Sequence, residues 1–301
     1  MHIVFFIERR DRVLGNAAWL APLVLVLMLF FSMPSHAAAI TVTDDAGKKV
    51  SLSAPAERVV ALAPHAVEIF YELGAGESLV GVIAGSDYPT EARALPRVGS
   101  YRGISLEAIL ARDPQLVIAW GSGSPQAVIE RLRSLDIPVY VSEPRHLLDV
   151  ADNLRDLGQL TGRRVQGEEA ARRFERRLAF LEQSFEQPPR VFYQLGAEPL
   201  TTLAGGHIVT QVIHHCGGQP LFAESPVLVP QIGRESLIQA QPDIILAASK
   251  NDRWQAAWQR WSVLPAVRNE RLHTLEPDWV SRPGPRLVKA VEQVCRALEP
   301  H

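Results

Sequence analysis

Hydrophobic and polar positions along this chain fall into two rhythms that take turns. Thr41 to Leu52 (TVTDDAGKKVSL) alternates with a period of two around an Asp-Ala-Gly turn, which predicts a hairpin. Strand-sized apolar runs and helix-period stretches then follow one another. RVVAL (Arg58 to Leu62) reads as a buried strand, VEIFYELGA as a helix stopped at Gly74, and Leu79 to Val82 as the next strand. SDYPTEA (Ser86 to Ala92) reads as a short helix capped by Ser86 or Asp87, with Pro89 where its missing N–H does no harm. A capped helix then leads at once into the strand QLVIAW (Gln115 to Trp120), and Pro125 to Ser142 supplies another helix and strand. This alternation predicts parallel sheet with helices on its faces.

After about residue 146 the rhythm changes. Ala171, Phe174, Leu178, Leu181 and Phe185 recur at spacings of three and four, with no Gly or Pro between Glu168 and Gln187. Counted from a first turn near Arg163, this is one amphipathic helix of about 37 Å, stopped by Pro188 and Pro189. Strand and helix alternation then resumes with RVFYQL (Arg190 to Leu195), HIVTQVIHHCGG, a Trp-rich segment, RLHTLE as a last strand and RLVKAVEQVCRAL as the closing helix. Within this second stretch RESLIQAQPDIILA (residues 234–247) repeats LEAILARDPQLVIA (residues 106–119), with Glu235 over Glu107, Pro242 over Pro114 and Ala247 over Ala119. The expected fold is therefore α/β, with two lobes of similar plan at residues 38–160 and 189–301 and a bridging helix at 161–188. A single rigid crossing predicts limited hinge motion, and a ligand site between the lobes at the carboxyl ends of strands.

The N-terminus sets the compartment. Arg9, Arg10 and Arg12 precede the apolar run Ala17 to Phe31 and the small-residue stretch MPSHAAA, so residues 1–37 read as an export signal that is removed. An uncleaved anchor is the competing reading. With no cysteine near the cleavage point there is nothing to carry a lipid, which makes the mature chain soluble and a bacterial periplasm its destination. The two cysteines, Cys216 and Cys295, each lie on the apolar stripe of a helix. In an oxidising space they either pair or remain two buried thiols.

At 301 residues, 47% hydrophobic and 21% charged, the chain can bury one large core or two modest ones. A formal net charge of −2 argues against a partner tracked through its phosphates. Arginines crowd residues 163–177, but Glu168, Glu169 and Glu175 interleave them, which describes a solvated helix face rather than a nucleic-acid patch.

Candidate chemistry belongs to the loops after strands: Pro64-His65, SDYP, GSYRG (Gly99 to Gly103), Trp120 to Gly123, LGAEPLT, SPVLVPQ and EPDWVSRPGPR. Aromatic residues make up only 7% of the chain, yet Tyr88, Tyr101, Trp120 and Trp279 all fall at such ends. Each alone is as consistent with a core position; together they suggest a large, flat, partly apolar ligand. No G-x-S-x-G, P-loop, G-x-G-x-x-G or H-E-x-x-H is present, so no catalytic residue is assigned. His65 and His207 could supply one metal ligand per lobe, but no acidic or histidine partner stands at ligand spacing, and no metal is assigned. Glu107 and Glu235 start equivalent helices, where the helix dipole alone favours a carboxylate. Helical spacing also turns both away from the apolar stripe, so that each lobe exposes one carboxylate, a docking pair for arginines on a pseudo-twofold partner.

These segments, from VTDDAGKKVSL and RVVALAP through SDYP, SLEAILA, PQLVIAW, RVFYQLG, the Cys-Gly-Gly at 216–218 and VPQIGRESL to PDWVSRPGPRL, resemble the periplasmic substrate-binding proteins of the cobalamin, haem and ferric-siderophore ABC importers. SDYP, LVIAW, CGG and the DW..R..PR ending resemble the cobalamin branch in particular. The resemblance implies two Rossmann-like lobes joined by a backbone helix, and a corrinoid held unaltered by a monomeric protein with no cofactor of its own. It also implies delivery to the permease dimer of an inner-membrane ABC transporter. It carries the ligand pocket onto Tyr101, Trp120 and the run Asp278, Trp279, Val280, Ser281, Arg282, to which the strand-end aromatics add Tyr88. It carries permease docking onto Glu107 and Glu235, and a disulfide onto Cys216 and Cys295. The chain departs from that branch at Gly85 and Val229, where the branch has a tyrosine and a tryptophan; a roomier pocket, a cobinamide or another tetrapyrrole would follow. Two rival readings remain: haem or a ferric siderophore on the same scaffold, with Arg102 and Arg282 as the arginines it would use, and a secreted metal-binding protein or enzyme using His65 and His207.

Overall fold

The computed structural model describes residue 2, residues 39–100 and residues 102–300. The export-signal reading of residues 1–37 and the candidate ligand residue Tyr101 lie outside the described residues. The predicted hairpin forms from β1 (Ile40–Thr43) and β2 (Lys49–Leu52). Asp44 holds its turn, accepting the N–H groups of Ala46 and Lys48 at 3.1 and 2.7 Å.

The first sheet contains β3 (Val59–Ala61), β4 (Leu79–Ile83), β5 (Arg97–Ser100), β6 (Gly103–Ile104), β7 (Leu116–Trp120) and β8 (Val139–Ser142) in the order β6-β5-β4-β3-β7-β8. Every pairing is parallel except β5 with β6. The second uses β9 (Arg190–Gln194), β12 (Gln219–Pro220), β13 (Ile244–Ala248) and β14 (Leu272–Leu275) in the order β12-β9-β13-β14, all parallel. Between β9 and β12 a ribbon forms from β10 (Gly196–Ala197) and β11 (Leu200–Thr201). The central strands are apolar throughout: VVA of β3, LVIA of β7 and IILA of β13 are buried on both faces, as a parallel sheet covered by helices requires.

In chain order the helices are α1 (Pro64–Glu72), α2 (Leu106–Leu110), α3 (Gln126–Arg133), α4 (Asp149–Leu160), α5 (Arg164–Leu181), α6 (Ile208–His215), α7 (Arg234–Ala240), α8 (Arg253–Ala256), α9 (Pro265–Arg268), α10 (Pro277–Val280) and α11 (Leu287–Leu298). None of the described helices is long and apolar enough to cross a membrane.

The sequence repeat is a structural repeat. α2 and α7 begin, and β7 and β13 begin and end, at matching positions with the offset that separates Glu107 from Glu235; α7 runs two residues further than α2. Each helix ends in a left-handed residue before the proline, Asp113 at φ 47° and Gln241 at φ 46°. One closure device serves both copies. Gln115 and Asp243 donate their N–H groups to the carbonyls of Arg58 and Arg190 at 2.8 Å each. Their side chains accept the N–H groups of the same two arginines at 3.1 and 2.8 Å. The guanidinium of Arg58 then reaches the carbonyls of Arg112 and Asp113, and that of Arg190 reaches the carbonyl of Ala240. In each lobe an arginine opening the neighbouring strand thus satisfies carbonyls that the helix end leaves free.

The structure departs from the expected elements in three places. The bridging helix α5 stops at Leu181, giving 18 residues and about 27 Å rather than a run to Gln187. Glu182 is extended, Gln183 donates its N–H to His215 at 3.1 Å, and Phe185 packs on the core, so docking onto α6 replaces the last turns of helix. The crossing is also preceded by an unpredicted helix, α4, which folds back onto α5. The two backbones touch where glycine meets glycine: a Cβ on Gly167 would lie 2.7 Å from the Leu154 carbonyl, and one on Gly158 would lie 3.0 Å from the Gly167 Cα. The helix expected at Ser86 to Ala92 is instead a short 3₁₀ segment, Thr90–Ala94, whose N-cap position falls on Pro89 and so has no side-chain cap, while Asp87 binds Arg282. Cys216 and Cys295 are joined as a disulfide between the end of α6 and α11, closing 79 positions of chain.

Candidate functional site

The carboxyl ends of β3, β4 and β7 in the first sheet and of β9, β13 and β14 in the second carry the candidate loops. Trp120 ends β7, half-buried against the core. Its backbone is closed into a turn by Ser124, whose Oγ accepts the Trp120 N–H at 3.0 Å and whose N–H donates to the Trp120 carbonyl at 2.8 Å. The indole lies over Gly123, where a Cβ would come within 2.6 Å of the ring. On another side it meets His65 edge to face, with centroids 5.4 Å apart.

His65 opens α1 and is fully buried. Its Nε2 lies 2.8 Å from Ser142 Oγ, Ser142 Oγ donates to Asn153 Oδ1, and Asn153 Nδ2 donates to both Asp45 oxygens at 2.9 Å. Because the serine proton is spent on Asn153, His65 must donate from Nε2, which leaves Nδ1 as a bare lone pair with no hydrogen-bond partner. Protonating Nδ1 would put a charge and an N–H where nothing accepts them, and burial accordingly lowers the His65 pKa to about 3. The backbone of the second-lobe loop also reaches this ring: Gly284 packs against the His65 Cβ and carbonyl. His65 thus stands between Trp120 and the loop that follows Trp279.

That loop is tied to the first lobe by charge. Arg282 donates to Asp87 at 2.8 Å, to Asp278 at 3.0 Å and to Glu68 at 3.4 Å, while Arg286 grips both oxygens of Glu68. Glu68 lies on α1 with its side chain 2% exposed, so the two arginines neutralise a carboxylate that burial would otherwise penalise. Arg282 also favours the charged form of Asp87, whose pKa is lowered even though burial opposes the shift. The Arg286 guanidinium lies 3.8 Å above the centre of the Tyr88 ring, which remains 44% exposed. Tyr88, Asp278 and Arg282 therefore meet in one inter-lobe cluster with Glu68, Asp87 and Arg286; the sequence marks Asp87 only as a helix cap and Arg286 only as part of a loop, and does not single out Glu68. A carboxylate on the apolar face of α1 was the available signal for Glu68.

Other candidates are placed individually. Trp279 is half-buried, with Lys289 Nζ 5.3 Å from its ring centre. Ser281 is exposed and returns its hydroxyl to the Pro277 carbonyl at 2.6 Å. Val280 corrects the expectation: α10 turns it into the core at 1% exposure, so it backs the wall and offers it no side-chain surface. Glu107 and Glu235 are exposed in the first turns of α2 and α7. Hydrogen bonds from its own backbone and from Ser105 lower the pKa of Glu107. At the departures from the cobalamin pattern, Gly85 has open space around it and Val229 is 43% exposed, beside the exposed Val227 and Leu228. His207 caps α6, its Nδ1 accepting the Val209 N–H at 3.2 Å. Among the described residues no three His, Cys, Asp or Glu side chains converge as a metal site.

A family model described as periplasmic binding protein matches residues 59–279. A vitamin B12-binding protein of Vibrio parahaemolyticus is 39% identical over 248 residues, covering 81% of this chain and 90% of that protein. The crystal structure of a periplasmic vitamin B12 binding protein of Vibrio cholerae matches with a TM-score of 0.75 at 40% identity, over 81% of this chain and 97% of that one. A periplasmic heme-binding protein from Roseiflexus matches with a TM-score of 0.71 at 27% identity, over 81% and 98%. These are substrate-binding proteins rather than enzymes, and their architecture is that of paired α/β lobes on a backbone helix. By the extent of the family match and the identity to these relatives, the chain belongs to the periplasmic binding protein family.

Proposed function

We propose that this protein captures cobalamin or a close corrinoid in the periplasm, after its export signal at residues 1–37 is removed, and delivers it as a monomer to an ABC importer. The lobes are residues 38–160 and 189–301. The ligand lies between the strand ends, with Trp120, Tyr88 and Tyr101 as first-lobe walls and Asp278, Trp279, Ser281 and Arg282 as the second-lobe side. The observation that carries the reading is Trp120. It is held at a strand end by the Ser124 turn, by Gly123 beneath the ring and by His65 at its edge, which suits a wall preorganised for a flat guest. The relatives named for vitamin B12 support the choice of guest.

Haem on the same scaffold is the second reading, favoured by the heme-binding neighbour. Against it, the arginines of the second-lobe loop are already engaged: Arg282 and Arg286 are bound to Glu68, Asp87 and Asp278, so they are not free to receive propionates. Calorimetric titration with cyanocobalamin and with haemin separates the two. Saturable one-to-one heat with cyanocobalamin alone is expected; binding of haemin alone would overturn the corrinoid assignment. Glu107 and Glu235 are assigned to docking on the permease dimer. Replacing both by alanine should leave the titration unchanged and abolish uptake.

A further inference from the structure

The second lobe holds a cavity that the corrinoid reading does not use. It lies beside the carboxyl end of β9, between α7 and the Trp-rich segment, with a volume of about 140 Å³. Its walls include Leu237, Trp254, Trp258 and Trp261. The indole N–H groups of Trp254 and Trp258 are already spent, on Thr274 Oγ1 at 2.8 Å and on Gln194 Oε1 at 2.7 Å. With those donors fixed, these two rings offer the cavity apolar and π surface but no hydrogen bond. Trp258 and Trp261 are tilted against each other with centroids 6.5 Å apart, so a third ring could meet them edge to face or offset.

The rim has the opposite character. Arg234 lies 5.5 Å from the Trp261 ring centre, and Arg260 is exposed. Neither has a carboxylate partner among the described residues, whereas Arg190 is paired with Asp243 and Arg58 is held by the carbonyls of Arg112 and Asp113. Glu198 is the one acidic residue on the rim, so the charge there is positive by one. A dry pocket of about 150 Å³ is enough to hold a benzene ring. Two guanidiniums at the mouth of such a pocket select a carboxylate at the ring's edge.

We propose that this cavity is a second small-molecule site that takes a single-ring aromatic carboxylate, with the ring among Trp254, Trp258 and Trp261 and the carboxylate on Arg234 and Arg260. The site stands whether or not the main cleft binds a corrinoid. It is formed entirely by residues C-terminal to α5, and Leu237 places it directly under the helix that carries Glu235.

The test is ¹⁹F NMR titration of the purified protein with 4-fluorobenzoate and, as the neutral comparison, 4-fluorobenzyl alcohol. The expected result is saturable one-site binding of the acid, with the alcohol about tenfold weaker. Arg234→Gln with Arg260→Gln should bring the acid down to the level of the alcohol and leave the alcohol unchanged. Ala257→Trp should block both probes by filling the cavity, and Trp120→Ala should affect neither. Circular dichroism establishes that each variant is folded, and the arginine pair, being exposed, does not depend on the outcome at Ala257. Non-saturable signals, equal affinity for acid and alcohol, or loss of binding in Trp120→Ala would each overturn the proposal.

Discussion

Substituting His65 by glutamine tests whether the ring beneath Trp120 is held neutral by its surroundings. In the native protein Nε2 donates into the Ser142–Asn153–Asp45 chain and Nδ1 faces no donor or acceptor, with burial lowering the pKa to about 3. In the unfolded chain the same group titrates near 6.5. Between these values the unfolded state binds a proton that the native state does not, so acid removes stability. The contribution is fully present above about pH 6.5 and declines at about 1.4 kcal/mol per pH unit as pH falls toward about 3. Over the accessible window from about pH 6.5 to about pH 4.5 this amounts to about 2.5 kcal/mol, in a group with no solvent to screen it. His65→Gln keeps a donor for Ser142 but cannot titrate. Urea unfolding of both proteins across the window, compared as a difference, cancels groups they share, among them Asp156, whose pKa burial raises to about 6 with an effect of opposite sign. The stability advantage of the native protein over the variant should shrink steadily with acid. A difference that stays constant from neutral pH to about pH 4.5 would refute the neutral-imidazole argument and, with it, the assigned direction of the hydrogen-bond chain.

Two further outcomes are expected. Reducing the Cys216–Cys295 bond, which closes 79 positions, should cost about 4 kcal/mol by the chain-entropy model, read as a fall in the urea midpoint with dithiothreitol. Arg286→Met leaves the buried Glu68 with only the longer contact to Arg282 and should cost about 3–5 kcal/mol, while Glu68→Met with Arg286→Met should cost less, because no buried carboxylate is then left short of partners; a double-mutant cycle on urea midpoints measures both.

Much of the fold was legible because a parallel sheet writes itself as continuous apolar runs. The strands at Val59, Leu79, Leu116, Val139, Arg190, Ile244 and Leu272 all lie on the segments that periodicity marks, to within one residue. The repeat was legible for a different reason: the same helix-to-strand closure needs the same proline and the same apolar spacing in each lobe. What escaped was set by tertiary partners. α4 carries Val150, Leu154 and Leu157 at helical spacing but merges in the pattern with the longer amphipathic run that follows, from which only the turn at Thr161 and Gly162 divides it. α5 was overextended because nothing local marks Leu181 as an end; the N–H of Gln183 finds His215, far along the chain. In the site, strand-end loops and aromatics pointed to Trp120 and Tyr88. The Glu68–Arg282–Arg286 cluster was invisible because its members stand more than two hundred positions apart, and only the fold brings them together. Val280 was carried along as part of a run, when a turn of helix separates its direction from that of its neighbours.

The most direct test of the account is the cobalt anomalous signal from crystals grown with cyanocobalamin. A single cobalt peak between the carboxyl ends of the two parallel sheets, with the corrin face against Trp120 and its edge toward Asp278 and Trp279, is the predicted result. A cobalt site on the outer face of either lobe, or a saturated protein whose Trp120 touches no part of the corrin, would contradict it.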